Sequence, residues 1–311
     1  MNKWMVVINP WAGSGLGKTD WPAIKNILLQ KGFDIKAVFT EHQYHAIDIV
    51  KNAVAEGFRN FIAVGGDGTL HEVINGAMFQ NEVPAGELTI GCIPVGSGND
   101  WIKMYGIPHD YEGAIDVIAA GNVGRQDLAK VTTSSATASP RYMINIGGAL
   151  FDGNTIVEFA RLKLKYPEWS GKSKYILGLL KTFIKSKCRH VDITVNGQPY
   201  YSGKILSVAF GIGQYSGGGL IQTPGATPDD GLLDMTVYTG ANKPRALISM
   251  WRLLNGSIYK YRRIRHCQLS TVTITGKHPI NVEVDGEKVG TTPLSIEMVP
   301  AAINVLVPAS K

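Results

Sequence analysis

Apolar runs at residues 4–9, 34–40, 60–64 and 88–93 alternate with stretches of helical period near 20–31, 44–57, 69–79 and 110–120. Short strands alternating with amphipathic helices predict βαβ units and a parallel sheet, whose ligands gather beyond the strands' C-terminal ends. The loops at 9–19, 40–44, 65–69 and 94–100 are therefore the candidate site. After Gly121 and Asn122 the texture changes to apolar runs at 142–146, 191–195, 204–211, 232–238, 270–275, 280–284 and 294–299. Two segments of helical period, around 155–189 and 241–264, interrupt them, so the second half reads as mostly β with helical insertions.

With 44% hydrophobic residues and 311 residues in all, the chain can bury a sizeable core, and two domains are expected. Cys92, Cys188 and Cys267 lie far apart and form no CxxC pair, which argues against a zinc cage or a disulfide framework and fits a reducing cytoplasm. The N-terminal apolar run is too short for a signal peptide, and no transmembrane segment is expected. The net charge of +6 points to an anionic partner such as a nucleotide, a nucleic acid or an acidic lipid.

The first loop, NPWAGSGLGKT from Asn9 to Thr19, approximates a P-loop, but Ala12 stands where the strict pattern has glycine. Asp20 and Pro22 read as an N-cap and a first-turn proline, which starts the helix after the Gly17-Lys18 pair and makes the loop longer than a P-loop. The glycines still favour close approach of backbone to phosphate. In the loop Gly65-Gly66-Asp67-Gly68-Thr69 a buried strand enters and a helix leaves, so free N–H groups and the helix dipole converge on an anion site. Asp67 supplies a carboxylate for Mg²⁺ or for orienting the attacking group. A plainer alternative is a tight turn with Asp67 or Thr69 as N-cap. The loop Pro94 to Asp100, PVGSGND, also follows a strand and can close the other side of a nucleotide.

These loops, with GGGLIQTPGATPDDGLLD at 217–234 and VDGE at 284–287, resemble in order the motifs of the diacylglycerol kinase catalytic-domain superfamily, over nearly the whole chain. The resemblance implies an α/β nucleotide-binding domain over 1–125 and a β-sandwich lipid domain over 126–311, with the tail after about 298 returning to the first domain. ATP would lie in the cleft between them, and with Mg²⁺ its γ-phosphate would pass to the hydroxyl of diacylglycerol or a similar lipid alcohol. Asn9, Gly13, Ser14, Gly15, Thr40, Gly66, Asp67, Gly68, Thr69, Leu70, His71, Glu72 and Ser97 would line the nucleotide, with Asn99 and Asp100 supporting the cleft. Ser97 replaces the family's commoner threonine, and His71 stands where many members have asparagine. Phosphoryl transfer needs charge neutralisation and a proton acceptor; Asp67, Asp285 and Glu287 are candidates, and the family's general base matches Glu287. By its own chemistry the VDGE segment also reads as an ordinary hairpin turn with solvated acids. The turn that holds Mg²⁺ in the family maps to Asp230 with Thr227 and Leu232.

Residues 172–187 place Ile176, Leu179, Leu180, Phe183 and Ile184 on one helical stripe with Lys174, Lys181 and Lys185 opposite. The segment 161–189 carries nine Lys or Arg against one acid, and 252–265 adds five cations, so both are candidates for contact with an anionic membrane surface. No DNA or RNA motif accompanies them. Peripheral membrane association of a cytoplasmic enzyme is the expectation, and a homodimer is compatible with it. The alternatives are a soluble-substrate kinase similar to the NAD kinases and a non-catalytic nucleotide or lipid sensor.

Overall fold

The computed structural model describes residues 3–309 apart from 97, 135–139, 167, 170 and 241–250. The chain divides into two compact units, Met1–Leu128 with Pro300–Lys311, and Ala129–Val299.

In the first unit, β1 (Lys3–Ile8), α1 (Ala12–Thr19), α2 (Trp21–Gln30), β2 (Asp34–Phe39), α3 (His45–Ala55), β3 (Asn60–Gly65), α4 (Asp67–Phe79), β4 (Thr89–Pro94), α5 (Trp101–Tyr105) and α6 (Tyr111–Ala120) succeed one another. The sheet is parallel, with β1 between β2 and β3 and with β4 beyond β3. Asn304 and Val305 from the end of the chain pair in parallel with Thr89 and Ile90 of β4. Burial tracks position. Phe61, Ile62, Ala63 and Val64 of central β3 are at most 1% exposed, whereas every residue of β2 is exposed or half-buried because it borders the sheet. Val6, Ile8, Ile62, Val64 and Ile93 meet Ile24 and Leu28 of α2 and Ile115 and Ile118 of α6 in one core cluster. Each fully buried side chain of this size contributes roughly 1.5–3 kcal/mol relative to exposure.

The expected elements of this half are present within two residues, but α5 has no counterpart in the hydrophobic pattern, and the expected start of the helix after Gly17 and Lys18 is corrected: α1 already covers Ala12–Thr19, broken by the positive φ of Gly13 to Gly15. Asp20 occupies the N-cap of α2 but makes no capping bond there. Its Oδ2 accepts the Tyr111 hydroxyl at 2.6 Å, a partner on another helix that competes for the same carboxylate.

The second unit takes over along β5 (Val123–Thr133). It continues with β6 (Arg141–Met143), β7 (Ile146–Leu150), α7 (Phe151–Lys165), α8 (Gly171–Lys185), β8 (Arg189–Val195), β9 (Gln198–Gly211), β10 (Tyr215–Ser216) and β11 (Leu220–Ile221). It ends with β12 (Leu233–Thr239), β13 (Ile264–Leu269), β14 (Thr271–Gly276), β15 (Asn281–Val284), β16 (Glu287–Thr291) and β17 (Leu294–Leu306). Its ladders are antiparallel and run in the order β16, β15, β7, β9, β8, β14, β17, while β12 joins β9 and β13 joins β12. Alternation is plain in β14, where Val272 and Ile274 are buried between exposed threonines. They join Val208, Phe210, Met235, Leu269 and Leu294 in the core of this unit.

The insertion at 155–189 is the helical pair α7 and α8. The one expected at 241–264 lies in part outside the described residues; its described part is a helical stretch from 251, a short 3-10 turn at Ile258–Lys260, and the start of strand at Ile264.

On α8 the expected amphipathic stripe is corrected. Lys174, Gly178 and Thr182 form the buried face, while Ile176, Leu180 and Ile184 are 49%, 52% and 67% exposed. The contact with α7 decides this. Tyr175 stacks edge-on against Phe159 at 5.9 Å and Phe183 against Phe151 at 6.5 Å, which turns the neighbouring isoleucines outward.

Candidate functional site

The chain leaves β1 at Asn9, whose N–H donates to the Val64 carbonyl at 3.0 Å and whose Nδ2 donates to the Thr69 hydroxyl at 3.2 Å. Gly13, Ser14 and Gly15 then take φ of 60°, 63° and 103° in succession, after Trp11 in the right-handed region. Such a change of hand turns backbone N–H groups toward one side and makes an anion-binding concavity. A side chain at Gly13 would lie 3.2 Å from the Gly96 backbone, so glycine at both positions lets the loops at 9–19 and 94–100 meet main chain to main chain.

Gly17 is a different case. A Cβ there would lie 2.0 Å from the Asn9 carbonyl oxygen, so its glycine serves packing. Lys18 comes next, in the last turn of α1, and is exposed at the carbonyl end of a helix, whereas a P-loop lysine works at the amide end. Lys18→Ala is therefore expected to cost less than about tenfold in turnover. A loss of about 10³ or more, the scale of a phosphate-charge stabiliser, in a steady-state assay would restore the P-loop reading.

The loop after β3 carries Gly66 in extended conformation and opens α4 at Asp67, with no side chain capping the helix. The positive end of a 13-residue helix thus stands beside the concavity through the Asn9 to Thr69 bond. The Asp67 carboxylate reaches across to the next loop. Its Oδ2 accepts the Asp100 N–H at 2.8 Å and its Oδ1 the Trp101 N–H at 3.1 Å, which ties this loop to the start of α5. Asn99 and Asp100 are buried; Asn99 Nδ2 donates to the Gly96 carbonyl at 3.1 Å, and Asp100 pairs with Lys103 at 2.6 Å. Ser97 lies outside the described residues.

Further along α4, three expected nucleotide contacts point elsewhere. Leu70 and His71 are 1% and 0% exposed, so the His71 ring packs inside beside Asn75. Glu72 accepts the Tyr44 N–H at 2.9 Å and the Ala46 N–H at 3.2 Å, a carboxylate on one helix serving the amide end of α3. Thr40 is buried at the end of β2, with its N–H on the Ile8 carbonyl at 2.8 Å. The first unit therefore brings together backbone from Gly13 to Gly15 and from Gly66 to Gly68, with Asn9, Thr69, Asp67 and Asn99.

In the second unit, Asp230 sits in a turn with Gly231 at φ 76°. Its Oδ1 accepts the Leu232 N–H at 2.9 Å, and its Oδ2 lies 3.4 Å from Gln268 Nε2. Asp230 is exposed, and a single carboxylate supplemented by carbonyl oxygens and water is the kind of hard-oxygen donor that suits Mg²⁺. Among the described residues, no group of three or more His, Cys, Asp or Glu could hold a metal ion.

The turn after β15 holds Asp285 and Gly286 at φ of 49° and 84°. Asp285 is not a solvated acid. Its carboxylate accepts the N–H groups of Ile144, Asn145 and Ile146 at 2.9, 3.0 and 3.2 Å, which pins the turn to the entry of β7. Glu287 stands at the head of β16, half-buried. Burial, and after it the Lys174 ammonium, hold the Lys163 amine below its ordinary value, with the Glu287 carboxylate acting against them. Sequence reasoning missed Glu283, a buried carboxyl two positions before Asp285; its signal was an acid between Val282 and Val284.

Residues 3–131 match the family model for the diacylglycerol kinase catalytic domain, and residues 157–307 match the model for the YegS C-terminal NAD kinase beta sandwich-like domain. A diacylglycerol kinase of Staphylococcus saprophyticus is 28% identical over 311 residues, with 97% of this chain and 94% of that protein covered. A diacylglycerol kinase of Staphylococcus carnosus is 28% identical over 310 residues, with the same coverage of 97% and 94%. A crystal structure of a Bacillus anthracis protein assigned to the diacylglycerol kinases superposes with a TM-score of 0.79 at 25% identity, covering 99% of this chain and 97% of the other. No helix among the described residues is long and apolar enough to cross a membrane. With both domain models matched in order, and with relatives aligned over nearly their whole length, the chain belongs to the diacylglycerol kinase catalytic-domain superfamily, a superfamily of lipid kinases.

Proposed function

We propose that this chain is an ATP- and Mg²⁺-dependent lipid kinase that phosphorylates the hydroxyl of diacylglycerol or a similar lipid alcohol. The observation that carries the reading is the phosphate cradle of the first unit. It joins three consecutive residues of positive φ at Gly13 to Gly15, the main-chain approach of Gly13 to Gly96, and the uncapped amide end of α4. Such an arrangement holds phosphate through backbone N–H groups and a helix dipole, without needing a lysine.

In this reading Asp67 keeps the loop at 65–69 and the segment at 99–101 in register, so that their N–H groups stay aimed at one point. Glu287 takes the proton from the acceptor hydroxyl as it attacks. Asp230, with the Thr227 and Leu232 carbonyls, is the candidate Mg²⁺ site, and a single carboxylate there suits a structural ion better than a catalytic one. Bound Mg²⁺·ATP supplies the phosphoryl group and neutralises the charge that spreads over it.

The outward face of α8 supports contact with a lipid surface. Ile176, Leu180 and Ile184, with Leu164 at 87% and Trp169 at 46% exposure, offer apolar area within the basic segment 161–189. Trp251 and Leu254, 69% and 56% exposed, do the same beside the basic segment 252–265. Each cation near an anionic bilayer contributes about 1 kcal/mol, enough for reversible attachment from the cytoplasm.

The decisive experiment incubates the full chain with labelled ATP and Mg²⁺ against diacylglycerol, ceramide, sphingosine and phosphatidylglycerol in mixed micelles, with NAD in parallel. Labelled phosphate in diacylglycerol or another lipid alcohol is the expected result. Transfer to NAD alone indicates a soluble-substrate kinase, and ATP binding with no transfer to any acceptor indicates a sensor; either outcome ends this reading.

A further inference from the structure

Glu283 is 7% exposed, and its Oε2 accepts the Gly286 N–H at 3.0 Å, from inside the turn that leads to Glu287. Asp285 pins the same turn from its other side through three N–H groups of residues 144–146. The turn needs holding. Asp285 sits at φ 49° as a non-glycine residue, and a backbone in a sparsely populated region costs on the order of 1–3 kcal/mol and persists only where its surroundings enforce it.

We propose that Glu283 is a positioning residue: a buried carboxyl that grips the Gly286 N–H and thereby sets where the Glu287 side chain stands. The proposal rests on the reading of Glu287 as the proton acceptor of a lipid kinase.

The groups around Glu283 define its chemistry. Gly148 is its partner in the ladder with β7, and Asp152 of α7 lies over Gly148, where an added Cβ would meet Asp152 Cβ at 2.9 Å. Asp152 in turn accepts from the Ser207 hydroxyl of β9 and from Gln222 Nε2 at 3.3 Å. Asp285 lies in the turn itself, and Lys288, the partner of Glu283 on β16, is exposed. Lys163 of α7 is near enough to feel Glu287. The buried partners are therefore acidic or neutral. Burial first, and then the Asp152 carboxylate, push the Glu283 carboxyl well above its ordinary range, against the pull of the Gly286 N–H. The neutral form of Glu283 is accordingly favoured over a wider pH range than for an exposed carboxyl. Its folded value exceeds its unfolded one, so the stability it contributes is present in full below the unfolded value and is lost as pH rises through the folded value. Burial raises Asp152 in the same direction.

The test compares the full-length wild type with Glu283→Gln and Glu283→Ala, reading kcat against pH, acceptor KM, nucleotide Kd and thermal denaturation against pH. Glutamine copies the neutral acid. That variant should keep kcat within about twofold at neutral pH, and its kcat and Tm should fall less than the wild type's as pH rises. Alanine releases the turn, so kcat should drop on the order of 10–100-fold with nucleotide Kd unchanged, as small misplacements of a catalytic group do. A glutamine variant as impaired as the alanine one, an alkaline fall in kcat unchanged by glutamine, or an alanine variant with normal kcat overturns the proposal. A wild type that phosphorylates no acceptor removes the kinase reading and this proposal together, whereas an active wild type beside an unaffected alanine variant removes this proposal alone.

Discussion

Glu287→Gln is expected to lower kcat by about 10²–10⁴ while nucleotide Kd changes by less than about twofold, because glutamine keeps the size and hydrogen bonding of the side chain but cannot accept a proton. The scaffold around it should be untouched. The turn is held by Asp285 through residues 144–146 and by Glu283 through Gly286, and neither bond uses the Glu287 side chain. Single-turnover measurement at saturating Mg²⁺·ATP, alongside calorimetric nucleotide binding, separates the chemical step from affinity. Near-normal turnover in this variant would show that the proton goes elsewhere. Asp67 would then be the first residue to test.

Asp67→Asn should behave differently, with both stability and nucleotide affinity reduced. The carboxylate accepts two main-chain N–H groups at 2.8 and 3.1 Å. An asparagine amide keeps one acceptor oxygen and turns its NH₂ toward the second donor, leaving it without a bond. A hydrogen bond to a charged group contributes about 1.5–3 kcal/mol, so denaturation should shift by about that amount. The same change loosens the segment at 99–101 relative to the Gly65 to Thr69 turn, and nucleotide Kd should rise by about tenfold or more. Chemical denaturation and nucleotide titration on one preparation decide the matter. Were Asp67 solely a metal-contacting group, affinity at limiting Mg²⁺ would fall while the denaturation midpoint stayed in place.

Local pattern is enough for the architecture of the first unit. Central parallel strands such as β3 must be apolar on both faces, so the run Phe61 to Val64 stands out, and the glycine turns after these strands announce where a ligand can approach. Pattern is a poorer guide to the second unit. β13, IRHCQL, mixes charge and apolar residues because it borders β12 alone, and its period blends into that of the helical segment before it. β16, EKVGT, shows no strong alternation because the ladder with β15 slips between Val282 and Glu283.

The acidic residues expose the limit more sharply. In the sequence, Asp67, Glu72 and Asp285 all stand as groups available for metal, nucleotide or proton. Each spends its carboxylate on main-chain N–H groups, 33, 28 and about 140 positions distant. A motif records that a carboxylate is required at a position. Which donor it faces depends on loops brought together by sheet order, and no local period encodes that.

The same distinction holds on α8, where residue types and spacing established a helix with apolar and basic positions. The single stripe expected from that spacing, Ile176, Leu179, Leu180, Phe183 and Ile184, divides in the structure. Contact of Tyr175 and Phe183 with Phe159 and Phe151 of α7 leaves Leu179 and Phe183 half-buried beside the buried face of Lys174, Gly178 and Thr182, and puts Ile176, Leu180 and Ile184 at the surface. Helix formation depends on neighbours within a turn, so it is written in the order of residues; the choice of buried face depends on the shape of a partner helix, and it exists only once the two are packed.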